Sequence, residues 1–177
     1  LGPYDPVSYT DAAETFDNFI AEFPESNKLM QEKMLTAAAR EKGGDLPGAI
    51  RAYREVYDEV PDAETKRQML LKIAEMNREI GQYDDAISAY EEYLEKFRTD
   101  QDQVKTILGS LYLERVRQDD AYEMFSPIPI ATLTESLTDP ELLTLGKIFQ
   151  AKGDDDKALE IFEHLGDKDV FESTEAL

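Results

Sequence analysis

The strongest constraint on this chain is a pattern that recurs along its whole length. An alanine is followed four residues later by an aromatic residue, and successive alanines are 37, 37, 35 and 37 residues apart. Regular spacing of this size is typical of repeat proteins, in which one small supersecondary unit is stacked on the next. The five pairs are Ala12/Phe16, Ala49/Tyr53, Ala86/Tyr90, Ala121/Phe125 and Ala158/Phe162.

A second small residue lies twelve residues before each of the last four alanines, surrounded by apolar residues at helical spacing. These second markers are Ala37, Ala74, Gly109 and Gly146. Between the two markers comes a turn that contains glycine in three repeats, and glycine is the residue that most readily ends a helix. The third repeat has Val116 instead. Each repeat is therefore predicted to be a helix A, a tight turn and a helix B.

Two of the markers are glycines inside a predicted helix, where glycine lowers the stability of the helix by about 1 kcal/mol relative to alanine. That cost is reasonable where helix B crosses closely over helix A, and we expect the small residues of helix B to form the other side of that contact. The predicted packing residues are Ala49, Ala74, Ala86, Gly109, Ala121, Gly146 and Ala158.

These markers resemble those of the tetratricopeptide repeat family, whose units carry a small residue in helix A and Ala-x3-aromatic in helix B. The resemblance implies an all-α fold, a right-handed α-solenoid of antiparallel helix pairs. It predicts a single domain over residues 1–177, with a leading half-repeat at 11–24, repeats at about 30–61, 67–98, 102–126 and 139–166, an irregular stretch at 127–138, and a tail at 167–177 that begins a further helix.

Two parts of the chain depart from the repeat. Pro127 and Pro129 should shorten the third helix B and make residues 127–138 a loop or one short turn of helix. The leading helix carries many apolar residues and has no visible helix A before it. We expect residues 1–10 to fold back over it, or this face to contact a second molecule.

Composition excludes several kinds of partner. The formal net charge is −20, which repels nucleic acid phosphates, and no stretch is long and apolar enough for direct membrane insertion. The sequence has one histidine, no cysteine and no glycine-rich phosphate loop, so it offers few candidate catalytic residues. We therefore predict no enzyme activity, no cofactor, no catalytic residue and no metal site.

The family resemblance implies that helix A residues line a concave groove. The predicted helix B stretches contain 17 acids and 5 bases, whereas the groove positions of the later repeats are neutral and partly apolar. Such a surface suits an extended peptide or an amphipathic helix from a protein partner. The candidate groove residues are Leu71, Lys72, Glu75, Arg78, Thr106, Ser110, Leu113, Leu143 and Lys147.

The leading hypothesis is a scaffold or adaptor that binds a protein segment in this groove. Two alternatives stay open: a regulatory or targeting module of a larger enzyme, and a structural protein that self-associates through its repeat ends. The stretches 12–26 and 90–97 are similar to bacterial cell-envelope tetratricopeptide proteins, which implies a periplasmic location, with a cytoplasmic one as the alternative.

Overall fold

The computed structural model describes the backbone of residues 6–175 and the side chains of residues 8–166. Within that range the chain is all-α, without a strand, which confirms the predicted fold class. The helices are α1 (Pro6–Glu22), α2 (Leu29–Lys42), α3 (Leu46–Glu59), α4 (Ala63–Glu79), α5 (Tyr83–Lys96), α6 (Gln101–Glu114), α7 (Gln118–Phe125), α8 (Ile130–Ser136), α9 (Asp139–Lys152) and α10 (Asp155–Glu175).

The chain divides into two compact units where the sequence predicted a single domain. The first is Leu1–Phe97 and contains α1 to α5, and the second is Arg98–Leu177 and contains α6 to α10. The boundary falls at the short connection between α5 and α6, where Asp100 adopts a left-handed backbone conformation with φ of 53°.

In the first unit each helix packs against the next one along the chain. Two helix starts are fixed by aspartates, since the Asp45 carboxylate accepts from the Gly48 backbone N–H at 3.0 Å and Asp62 accepts from Thr65 at 2.7 Å. The core between these helices consists mainly of aromatic and branched apolar side chains. Among those that are fully buried are Tyr90, Tyr93, Leu70 and Ile73.

In the second unit α6 packs on α7, and α9 packs on α10. Helix α9 begins with a capping box, in which the Thr138 backbone N–H donates to the Glu141 carboxylate at 2.9 Å. Phe125, Leu142 and Phe149 are fully buried and form the centre of this unit.

The turn between helix A and helix B has the same backbone conformation in every repeat. Gly44, Gly81 and Gly153 have φ of 82°, 76° and 82°, and Val116 has φ of 60° at the equivalent place in the third repeat. A left-handed conformation is rare for a β-branched residue and strains the backbone. Val116 is also 77% exposed, so no packing compensates for that strain.

The two helical glycines do mark close crossings, and the atoms nearest to them belong to an aromatic ring of helix B. A Cβ atom at Gly109 would lie 2.5 Å from the ring of Phe125, and one at Gly146 would lie 2.6 Å from the ring of Phe162. The aromatic ring four residues after the alanine therefore occupies the space that a side chain on helix A would need.

Residues 127–138 are more ordered than the prolines suggested. Ile130–Ser136 form α8, whose Ile130 and Leu133 are buried, followed by buried Leu137. Apolar residues at this spacing give a short helix one buried side, which packs on α10. The prolines do shorten the preceding helix, since α7 has 8 residues where α3 and α5 have 14.

Both ends of the repeat array also differ from the predictions. Residues 6–10 do not fold back over the leading helix but are its first turns, because Pro6 suits the first position of a helix. Residues 1–5 lie outside the described part. At the other end, residues 167–175 do not begin a new helix but continue α10 through Gly166.

We predict that Val116→Gly stabilises the protein, because glycine removes the left-handed strain at a small cost in backbone entropy. The free energy of unfolding in urea should rise by about 0.5–1 kcal/mol. The matched control is Gly153→Val, which introduces the same strain at the equivalent turn of the last repeat and should lower that free energy. A Val116→Gly protein less stable than the parent would contradict the prediction.

Candidate functional site

The candidate groove residues of the first unit lie on one side of α4. Leu71, Glu75 and Arg78 are spaced by four and three residues, which places them on the same helix face. Leu71 is half-buried, whereas Glu75 and Arg78 are exposed and have no hydrogen-bond or ion-pair partner among the described side chains. These two charges are available to a ligand.

Lys72 is not available in the same way, because it links two repeats. Its Nζ atom donates to both carboxylate oxygens of Glu41 on α2, at 2.7 and 2.9 Å. Glu41 also accepts from the Tyr53 hydroxyl at 2.5 Å. Burial alone would raise the pKa of Glu41, but the hydrogen bonds from Lys72 and Tyr53 outweigh burial and hold this pKa below its usual value. Lys72 therefore stabilises the unit.

The candidate residues of the second unit fall into two groups. Thr106 and Ser110 are engaged: the Thr106 hydroxyl donates to the Asp102 carbonyl at 2.8 Å, and Ser110 donates to the Glu141 carboxylate. By contrast, Leu143 is 44% exposed and Lys147 is exposed without a partner among the described residues. Leu113, the remaining candidate of this unit, is half-buried.

Sequence reasoning missed one exposed residue of the same kind. Leu35 on α2 is 40% exposed and lies 37 residues before Lys72, at the equivalent position of the preceding repeat. The repeat spacing alone would have found it. Helix A faces of both units thus present a large apolar side chain to solvent.

One cluster of charged side chains on the helix B side of the first unit is neutralised internally. Glu92 on α5 accepts from Arg54 at 3.0 Å, from the Tyr57 hydroxyl at 2.6 Å and from Lys96 at 2.7 Å. Burial alone would raise the pKa of Glu92, yet these three hydrogen bonds together lower it to about 2. The cluster fastens α3 to α5.

The described residues give few groups for chemistry. No group of three or more His, Cys, Asp or Glu side chains among them is placed to hold a metal ion. His164 is half-buried in α10, and its Nε2 atom has no hydrogen-bond partner within the described range. None of the described helices is long and apolar enough to cross a membrane.

Comparison with known proteins identifies the repeat. A family model described as a tetratricopeptide repeat-like domain matches residues 6–127. The chain belongs to the tetratricopeptide repeat-like family. Tetratricopeptide repeat-like domains are typically scaffolds for protein–protein interaction and are generally non-catalytic.

Solved structures show the same all-α solenoid fold. Two crystal structures of MamA are 24% and 25% identical, with TM-scores of 0.54 and 0.50; the matches cover 78% and 72% of this chain and 72% and 70% of those chains. A kinesin light chain protein of Podosopora anserina with nearly identical TPR-like repeats is 17% identical, with a TM-score of 0.52, over 88% of this chain and 84% of that one. A search of curated proteins finds no match.

Two tyrosines at equivalent repeat positions should respond oppositely to loss of the hydroxyl. Tyr90 is fully buried, and its hydroxyl has no partner among the described residues, whereas Tyr53 donates to Glu41. Tyr90→Phe removes an unsatisfied polar group and should raise the free energy of unfolding by about 1 kcal/mol, while Tyr53→Phe should lower it by a similar amount. Urea unfolding of both variants tests this, and changes of the same sign would refute it.

The low pKa of Glu92 predicts a pH-dependent contribution to stability. A carboxylate whose pKa is lower in the folded state stabilises the protein above its unfolded pKa, here near 4.5, and loses that contribution as the pH falls toward 2. Glu92→Gln should therefore be less stable than the parent at pH 7 by on the order of 1–2 kcal/mol, since solvent partly screens the cluster.

The difference between Glu92→Gln and the parent should shrink between pH 5 and about pH 2, as Glu92 of the parent becomes protonated. Urea unfolding at several pH values measures it. Glu95→Gln is the matched control, because Glu95 is exposed on the same helix and forms no ion pair with any described side chain. A difference that stays constant across this range would show that Glu92 is not held ionised by its neighbours.

Proposed function

We propose that this chain is an adaptor that binds a protein segment along its helix A surface and catalyses no reaction. The observation that supports the proposal is the contrast between the two kinds of helix. Helix A residues Arg78, Glu75 and Lys147 are exposed, unpaired among the described residues and nearly balanced in charge, whereas the helix B stretches carry 17 acids against 5 bases.

The apolar residues support the same surface. Leu35 on α2 and Leu143 on α9 are large and exposed, and each lies on a helix A at a position that the family uses for its groove. Within each unit, a protein segment with apolar side chains at helical or extended spacing would cover the exposed leucine, and its charged side chains would meet Glu75 and Arg78 in the first unit or Lys147 in the second.

The partner should be a protein and not a nucleic acid. The formal net charge of −20 repels a polyphosphate backbone, and nucleic acid binding depends largely on cations that neutralise phosphates. Among the groove candidates, the unpaired cations Arg78 and Lys147 lie close in sequence to apolar residues, which suits a mixed polypeptide surface better than a chain of phosphates.

The test is capture of a partner on the immobilised chain, identification by mass spectrometry, and calorimetry with the identified segment. We expect Arg78→Glu combined with Lys147→Glu, and separately Leu143→Glu, to abolish binding with little change in melting temperature, because these side chains are exposed. The matched control is Leu159→Glu, since Leu159 is 57% exposed on helix B of the last repeat.

Binding that survives both helix A variants but is lost in Leu159→Glu would move the site to the helix B surface. Binding that is unaffected by any of them would contradict a solvent-exposed repeat surface altogether.

A further inference from the structure

The first unit contains a cavity of about 470 Å³ that neither the core nor the groove uses. It opens between α3 and α5, and α4 contributes Ile73 and Asn77 to its lining. Because successive residues of an α-helix are about 100° apart around its axis, Ile73 and Asn77 lie on a different face of α4 from Leu71 and Arg78. The cavity is therefore separate from the helix A surface.

Asn77 is the unusual residue of this cavity. Its side chain is only 4% exposed, and its Nδ2 atom donates to the Ile73 carbonyl at 2.9 Å. The second Nδ2 hydrogen and the Oδ1 atom have no partner among the described residues, and Oδ1 is not enclosed by protein. Asn77 therefore presents one free donor and one free acceptor side by side at the edge of the cavity.

Comparison between repeats shows that an amide is not required at this position. The residue three places after the small marker of helix A is Tyr112 in α6 and Phe149 in α9, and both are buried aromatic residues of the second unit. In the first unit the same position is Arg40 or Asn77. Arg40 donates to Asp17 at 2.5 Å and is thus satisfied, whereas Asn77 is only partly satisfied.

We propose that this cavity binds a short peptide segment, one peptide group of which pairs with Asn77 in both directions. The peptide carbonyl accepts from Nδ2, and the peptide N–H donates to Oδ1, which satisfies the amide completely. Ile50 and Ile73 provide apolar walls for a small side chain. The volume suits about two residues rather than a long segment, since small-ligand sites begin at about 300 Å³.

The charges around the cavity favour a basic side chain next to that peptide group. Two acids, Glu55 and Asp85, line the cavity without an ion pair among the described residues. Of the two cations that line it, Arg54 is bound to Glu92 at 3.0 Å, and Arg51 is unpaired within the described range. The remaining local charge is negative, as is the formal net charge of −20. A cationic peptide is therefore attracted and an anionic one repelled.

The probes are three blocked dipeptides, N-acetyl-Lys-Ala-N-methylamide and its Ala-Ala and Glu-Ala counterparts, titrated into the ¹⁵N-labelled full chain. The Asn77 side-chain amide signals should shift on binding. The lysine peptide should bind about threefold more tightly than the alanine peptide, which is the size of one exposed charge pair, and the glutamate peptide should bind most weakly.

Two variants separate recognition from folding. Asn77→Leu keeps the side-chain volume, removes the amide and should abolish peptide binding while melting at or above the parent temperature. Glu55→Gln combined with Asp85→Asn leaves the core untouched and should remove the preference for the lysine peptide. Arg78→Glu, on a different face of α4, should bind the lysine peptide at least as tightly as the parent.

Three results would overturn the proposal. One is an Asn77 amide signal that does not move at about 10 mM peptide, where even weak binding would show. Another is an Asn77→Leu variant that binds the peptide as tightly as the parent does. The third is loss of binding in Arg78→Glu, which would place the peptide on the helix A surface. Because the adaptor proposal depends on Arg78, Leu143 and Lys147 instead, either proposal can fail while the other stands.

Discussion

Every hairpin that carries a glycine in helix A depends on one contact, in which the glycine faces an aromatic ring of helix B. The rings of Phe125 and Phe162 lie so near Gly109 and Gly146 that a Cβ atom would overlap them. This contact fixes how closely the two helices approach each other. The left-handed turn is common to all the hairpins, since Gly44 and Gly81 adopt it where helix A carries alanine, just as Val116 and Gly153 do where it carries glycine.

In the first unit the same positions are filled differently, and this has consequences outside the core. The small residue is alanine and the aromatic is tyrosine, whose hydroxyl needs a partner when buried. The Tyr53 hydroxyl donates to the Glu41 carboxylate, which also accepts from Lys72 of the next helix A. The tyrosine at this core position is thus part of a bond between repeats, and that bond makes Lys72 unavailable to a ligand.

The sequence predicted the hairpins well, because a 37-residue spacing of two markers locates both helices and the turn. The sequence did not predict the helices whose extent depends on a missing helix terminator or on packing partners far away in the chain. Helix α10 continues through Gly166 because nothing there ends it, and α8 forms because Ile130, Leu133 and Leu137 have a core to pack against. The groove residues remain a prediction: Lys72 and Ser110 have partners on other helices, and those partners could not be read from the pattern of one helix.

The position three residues after each small marker connects these observations. Aromatic residues there, Tyr112 and Phe149, stabilise the second unit through buried apolar surface, whereas Arg40 and Asn77 place polar groups in the first. Arg40 forms an ion pair with Asp17 on α1 and so holds the leading helix. Asn77 makes no comparable connection within the described structure. Its free donor and acceptor instead border the cavity between α3 and α5, where a bound peptide group could pair with both.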